Sequence, residues 1–266
     1  MILHGGLEFP DLPKYVIAFS LGLPRLLGVH LGLPMFSSTM IPGMARGGFI
    51  GSLALFLIPL LADQGHGEIA TTFVVFLMFK ELLLGFILGY LSGLMFWAAQ
   101  SAGDLIAFQS GMSMASFFDP TLAQESTAFG TILRKWAEVL FFMSGAYTLL
   151  LGAVFESYKA WPVRSFFPAF DLTLARMAWE GVSASMATAC VYAFPALAAM
   201  FLITVCLGLI SRFAPSLNAF FLAMPLQSMT ASFLLAVGLP VFAYLFRKEF
   251  SHFDDVFRAL KIHFGT

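Results

Sequence analysis

The residues of this chain that could do chemistry are few and oddly placed. Lys80 and Glu81 stand side by side inside an apolar stretch, Asp104 and Asp119 follow it, and Arg212 interrupts another such stretch. Enzyme signatures are missing: there is no HExxH, no CxxC, no Walker A motif and no GxGxxG. Gly111-Met112-Ser113-Met114-Ala115 approaches a nucleophile elbow but lacks its second glycine. The five histidines, at positions 4, 30, 66, 252 and 263, have no metal-ligand spacing. An aspartyl pair of Asp104 with Asp119 has no flanking motif to support it. The expectation is a chain that is not an enzyme and takes neither metal nor cofactor. Cys190 and Cys206 share one apolar run. On a continuous helix they lie about 24 Å apart, beyond disulfide reach, and they read as small buried apolar residues.

An ionised group inside an apolar run is costly and so carries information. For Lys80 and Glu81 three readings stand: pairing within a bundle or with neighbouring subunits, snorkelling toward an interface, or an ion or proton relay. Gly85, Gly89 and Gly93 follow at four-residue spacing, so they line one helix face and let another backbone come close. Gln100, Ser101, Asp104 and Gln109 then put polar groups along a helix that Gly111 breaks. Met112, Met114, Phe117 and Phe118 come next, before Asp119-Pro120 turns the chain. Two Met and two adjacent Phe suit either a segment folded back into a channel or one packed permanently in a core. Further on, Arg212 falls at a break closed by Pro215, with Asn218 on the way back into apolar sequence. A guanidinium there can satisfy helix-end carbonyls, or be an ordinary loop arginine.

The elements that must position these residues are apolar throughout. Hydrophobic residues make up 59% of the 266 and charged residues 11%, with a mean hydropathy of +0.88. A water-soluble domain of this length would carry far more charge, so the solvent is lipid or other apolar protein. A formal net charge of −1 without a basic stripe excludes nucleic acid as a partner. The N-terminus lacks the pattern of a removable signal peptide. Candidate spans run 15–36, 47–62, 69–98, 133–155, 183–211 and 215–245. They are continuously apolar, which excludes a membrane β-barrel. The fold class expected is all-α: one membrane-embedded unit, 1–266, of about six kinked helices with a re-entrant loop. Pro24, Pro34, Pro195, Pro225 and Pro240 supply the kinks. Long polar connections are expected over 99–132 and 156–182. Basic residues number eight on one side of such a layout and four on the other, which favours cytoplasmic termini. The C-terminal stretch, 246–266, is amphipathic and suits a membrane surface, a partner contact or a solvated tail.

Several stretches, taken in order, are similar to a known family. They are Lys80-Glu81 with Gly85 and Gly89, AFQSGMSMASFFDP at 107–120, ESYKAWPV at 156–163, and FPALAAMFLITVCLGLISRFAPSLNAFFLAMP at 194–225. Together they resemble the FliR/SctT family of type III secretion export-gate proteins. Trp161-Pro162 after Ser157-Tyr158 is more like the virulence (SctT) branch than the flagellar one. The chain departs at Gln227, where the resemblance leads one to expect lysine. The resemblance implies a bacterial inner-membrane subunit and a helical channel built with SctR-like (FliP-like) and SctS-like (FliQ-like) partners. An SctU-like (FlhB-like) protein would wrap the entrance, and unfolded secreted polypeptides would pass through. It also implies that Gly111–Pro120 is the plug loop that obstructs the lumen, with Lys80, Glu81, Gly85, Gly89, Gly93, Arg212, Pro215 and Asn218 in subunit packing. The rival from the residues alone is an ion-coupled secondary transporter working through Lys80 and Glu81.

Overall fold

The computed structural model describes residues 12–36, 42–62, 71–112, 127–165, 172–214, 216 and 218–264. Among them the chain is helical and forms no strand. The helices are α1 (Leu12–Gly32), α2 (Gly43–Ala62), α3 (Thr71–Gln109), α4 (Ala128–Met143), α5 (Ala146–Ala160), α6 (Leu172–Phe213) and α7 (Ala219–Phe264), with a short 3-10 turn at Pro34–Phe36.

Local sequence explains the helix ends. No proline lies within Thr71–Gln109, so α3 runs for 39 residues and stops only where Gly111 adopts a φ of 78°. The span expected to end at 98 therefore continues, and its polar continuation is the same helix. The fourth apolar stretch, expected to be unbroken over 133–155, is two helices. Ser144 caps α4, and Gly145 takes a φ of 75°, a conformation that glycine enters without steric cost. Pro162 stands just beyond α5, where a proline cannot extend a helix. By contrast Pro24, Pro195, Pro225 and Pro240 lie inside continuous helices. The C-terminal stretch is the continuation of α7 to Phe264 and not a separate element.

Four helices are long and apolar enough to cross a membrane, or five spans if α4 and α5 together count as one, and α2 is a shorter apolar helix. The protein is accordingly a multi-pass helical membrane protein. The comparison of basic residues on two sides presumed six crossings, and the described helices do not supply six.

Packing divides the chain into two compact units: Met1–Gly93 with Leu149–Asp171 and Phe257–Thr266, and Leu94–Thr148 with Leu172–Val256. In the first, α1 buries Ala18, Leu21, Arg25 and Val29, and α2 buries Ile50, Ala54, Leu57 and Leu61. Both sets recur at three or four residues, one stripe of a helix. In the second, Phe129, Leu133, Ala137 and Phe141 form the buried stripe of α4, and Ala223, Gln227 and Ala231 that of α7. Aromatic rings join its elements. Phe96 meets Phe141 edge-on at 5.2 Å and Phe246 at 6.3 Å, and Tyr192 meets Phe242 at 4.9 Å. The cysteines differ from expectation: Cys190 and Cys206 are free and exposed on α6. Neither belongs to the buried stripe of that helix, Ala189, Ala193, Ala196 and Met200.

Candidate functional site

Small residues come first, because they set the distance between α1 and α3. Gly28 and Gly32 of α1 face Gly85, Gly89 and Gly93 of α3. A Cβ on Gly89 would fall onto the Val29 carbonyl group, 2.8 Å from its carbon, and one on Gly32 would lie 2.7 Å from the carbonyl carbon of Gly89. Neither helix could carry a side chain there, so the backbones touch. The glycines picked out by their spacing thus meet the chain's own first helix. Their counterparts Gly28 and Gly32 are not among the residues that spacing singles out, and that end of the first stretch is marked only by Pro34.

Glu81 lies one turn before Gly85 on the same face and continues the ladder, and Arg25 answers it from α1. Both are almost wholly buried, at 0% and 1% exposure. Arg25 Nε donates to Glu81 Oε2 at 2.6 Å, Nη1 to Ser157 Oγ at 2.9 Å, and Nη2 to the Trp161 carbonyl at 3.1 Å. Lys80 Nζ lies 2.8 Å from Glu81 Oε1 and donates to the carbonyls of Val163 and Ser165, each at 2.8 Å. Aromatic faces complete the enclosure: the Arg25 guanidinium is 4.1 Å above the Tyr158 ring, and Lys80 Nζ is 5.4 Å from the Trp161 ring. Tyr158 donates its hydroxyl to the Gly22 carbonyl at 2.6 Å.

This arrangement has a physical logic. The helix α5 ends at Ala160, just before Pro162, so the carbonyls of Trp161, Val163 and Ser165 lie beyond it, outside its hydrogen-bond ladder. In an apolar medium each unsatisfied carbonyl is expensive. Arg25 and Lys80 supply the donors, and Trp161 Nε1 adds another to Ser165 O at 3.0 Å. Glu81 then balances one of the two cations where water does not. The cluster ties α1, α3 and the turn after α5 into one piece, and its donors are engaged by protein acceptors. Arg25 is the member of this cluster that the sequence did not single out, although the signal was present as one arginine inside the first apolar stretch.

The remaining singled-out residues lie elsewhere. Gly111 ends α3 with Met224 of α7 packed against it, 3.1 Å from where a Cβ would sit. Met112 is 40% exposed. Met114, Phe117, Phe118, Asp119 and Pro120 lie outside the described residues, as does Pro215. Arg212 is exposed in the last turn of α6, and Asn218 is exposed just before α7 and accepts the Leu222 amide at 3.3 Å. Gln227, where lysine was expected, is buried and donates to Thr204 Oγ1 at 2.6 Å. A neutral amide thus does the joining of α6 to α7 at that position. Among the described residues, no group of three or more His, Cys, Asp or Glu is placed to hold a metal ion.

The family described as "Bacterial export proteins, family 1" matches residues 16–253. Yop proteins translocation protein T of Yersinia pestis is 40% identical over 223 residues, covering 84% of this chain and 85% of that protein. Flagellar biosynthetic protein FliR of Bacillus subtilis is 30% identical over 244 residues, covering 91% and 94%. Secretion system apparatus protein SsaT of Salmonella typhimurium is 29% identical over 234 residues, covering 85% and 88%. Identity is higher to the Yersinia protein than to the flagellar one, in keeping with the virulence-branch likeness of Trp161-Pro162. The match takes in the glycine ladder, the buried charge cluster and the end of α3 alike, and the chain belongs to family 1 of the bacterial export proteins, the FliR/SctT family.

Proposed function

We propose that this chain is a subunit of the inner-membrane export gate of a type III secretion system, where it helps form and close the channel for unfolded secreted proteins. SctR-like, SctS-like and SctU-like membrane subunits are its proposed partners, and its role is mechanical, not enzymatic. Membership of the family supports the export role. The closing role rests on one observation together with the sequence that follows it. α3 stops at a left-handed glycine, Gly111, beside an exposed Met112, at the head of a stretch that contains Met114, Phe117 and Phe118. Bulky, adaptable side chains of this kind fill an irregular lumen well. Phe117, Phe118, Met112 and Met114 would pack into the closed passage, and Asp119-Pro120 would set the turn. Deleting residues 111–118 is expected to raise leakage of ions or small solutes while export persists. An unchanged leak argues against the closing role.

The transporter reading draws no support from the Lys80–Glu81 geometry. A coupling site needs a group that can exchange partners, and here both cations are held by Glu81 and by fixed carbonyls. Purified chain alone in liposomes is expected to show no ion-driven solute uptake; measured uptake would favour the transporter.

A further inference from the structure

The turn after α5 is held firmly from within. The Trp161 carbonyl accepts from Arg25 Nη2 at 3.1 Å and the Val163 carbonyl from Lys80 Nζ at 2.8 Å. The Ser165 carbonyl accepts from Lys80 Nζ at 2.8 Å and from Trp161 Nε1 at 3.0 Å. Ser165 N donates to the Pro162 carbonyl at 3.0 Å and closes the turn. Trp161 and Val163 face inward and are buried, while Pro162 and Ser165 are exposed. Arg164 stands half-buried between two residues whose carbonyls share one lysine, so its backbone is fixed by its neighbours. Its guanidinium forms no ion pair among the described residues.

Charge around this turn does not balance. Arg25, Lys80 and Arg164 are cations, and the one carboxylate that answers them is Glu81, paired with the first two. Lys159 and Glu156 pair with each other at 3.0 Å and cancel. A surplus of positive charge among apolar elements is costly unless an anion meets it. The adjoining side of α3 is apolar and uncovered. Phe76, Leu83 and Ile87 lie on the same side of that helix as Lys80, and all three are exposed.

We propose that this turn is a docking site for a carboxylate carried on an apolar helix of a neighbouring subunit. Arg164 is its direct ligand, the Lys80 charge lies behind it, and the same helix covers the Phe76, Leu83 and Ile87 side of α3. The proposal rests on the reading that the chain is one subunit of an assembly. Charge complementarity names the occupant: the surplus cations call for an anion, and the apolar flank calls for an apolar carrier. A guanidinium binds a carboxylate through two parallel N–H bonds, a geometry that fixes direction as well as charge. A side chain on a packed helix offers a fixed acceptor to this fixed turn, which a diffusing lipid phosphate does not.

The test uses the full export apparatus in cells and reads assembled complex on native gels. Arg164→Glu is expected to lower the amount of complex on the order of tenfold, the scale on which one desolvated interfacial charge pair acts, and Arg164→Lys to retain most of it. An Arg164→Glu chain that assembles in normal amounts overturns the proposal. Exchange of charges separates lost docking from lost folding. In the Arg164→Glu background, each Asp and Glu of the co-purifying membrane subunits is replaced singly by Lys. Recovery of assembly by one such replacement is the expected result, and recovery by none of them overturns the proposal. Mass spectrometry of the purified complex addresses the other source of anion. If Arg164→Glu sheds bound anionic phospholipid while every subunit stays, the site takes lipid phosphate and the proposal is wrong. The subunit reading fails on a different result: if no membrane subunit co-purifies with the unaltered chain, that reading and this proposal fall together.

Discussion

At the scale of single residues the molecule is governed by one buried arginine and what it faces. Arg25 and Glu81 are enclosed by α1, α3 and the turn after α5. Their mutual attraction only offsets the desolvation that burial imposes, so the pair contributes specificity of placement more than net stability. Removing one partner is different, because the other is left charged and unsolvated. Arg25→Met or Glu81→Met alone is expected to cost about 3–5 kcal/mol and to lower the melting temperature of the detergent-purified complex. The double replacement should cost less than the sum of the two, with a coupling of about 0.5–3 kcal/mol. Strict additivity in that cycle would mean that the two residues do not act on each other. Gln227 is a milder case. Gln227→Leu removes the bond from the buried Gln227 amide to Thr204 Oγ1, and a loss of about 1 kcal/mol is expected in the same melting assay.

At the scale of elements the deciding contact is the glycine ladder between α1 and α3. Gly89→Leu puts a branched side chain where the Val29 backbone lies. The helices must then separate, and the Arg25–Glu81 rung one step away opens with them. The expected outcome is loss of assembled complex on a native gel, and normal amounts of complex would count against the ladder. A control belongs to the same scale. Gly208 has nothing within 4 Å of where a Cβ would sit, so Gly208→Ala should be neutral or stabilise α6 by up to about 1 kcal/mol. The contrast between the two substitutions separates tight packing from helix propensity.

At the scale of the whole molecule the question is what covers the outside. Within the apolar window of α1, 56% of residues are buried by the chain itself, against 22% for α6 and 17% for α7. Phe194, Phe201, Leu202 and Leu209 on α6 are exposed, as are Phe221, Met229, Phe233 and Tyr244 on α7. Faces this apolar are not stable against water and need lipid or fellow subunits. Expressed without other export-apparatus subunits, the chain is expected to reach only a small fraction of its normal steady-state level, as unassembled membrane proteins are degraded. Mild-detergent purification from cells with the full apparatus should bring small membrane subunits with it, read by mass spectrometry. Recovery of an undiminished, monodisperse single chain would contradict an obligate subunit.

Composition and periodicity were enough to establish an all-α membrane protein, because continuous apolar runs of this length have no other stable form in lipid. Glycine spacing announced a close helix contact, and the ordered stretches around Lys80-Glu81 and 107–120 pointed to the family. These properties are local or compositional, so they can be read along one dimension. The partners could not be. That Gly85 and Gly89 receive α1, that Glu81 is answered by Arg25 fifty-six positions earlier, and that Asp104 Oδ1 accepts from Thr127 all depend on which helices meet. The same limit explains the broken fourth stretch and the exposed cysteines: a left-handed glycine at 145 and the buried face of α6 follow from packing. Hydrophobicity decides that a segment is buried in something, while only the three-dimensional arrangement decides in what, since burial is non-directional and contact geometry is not.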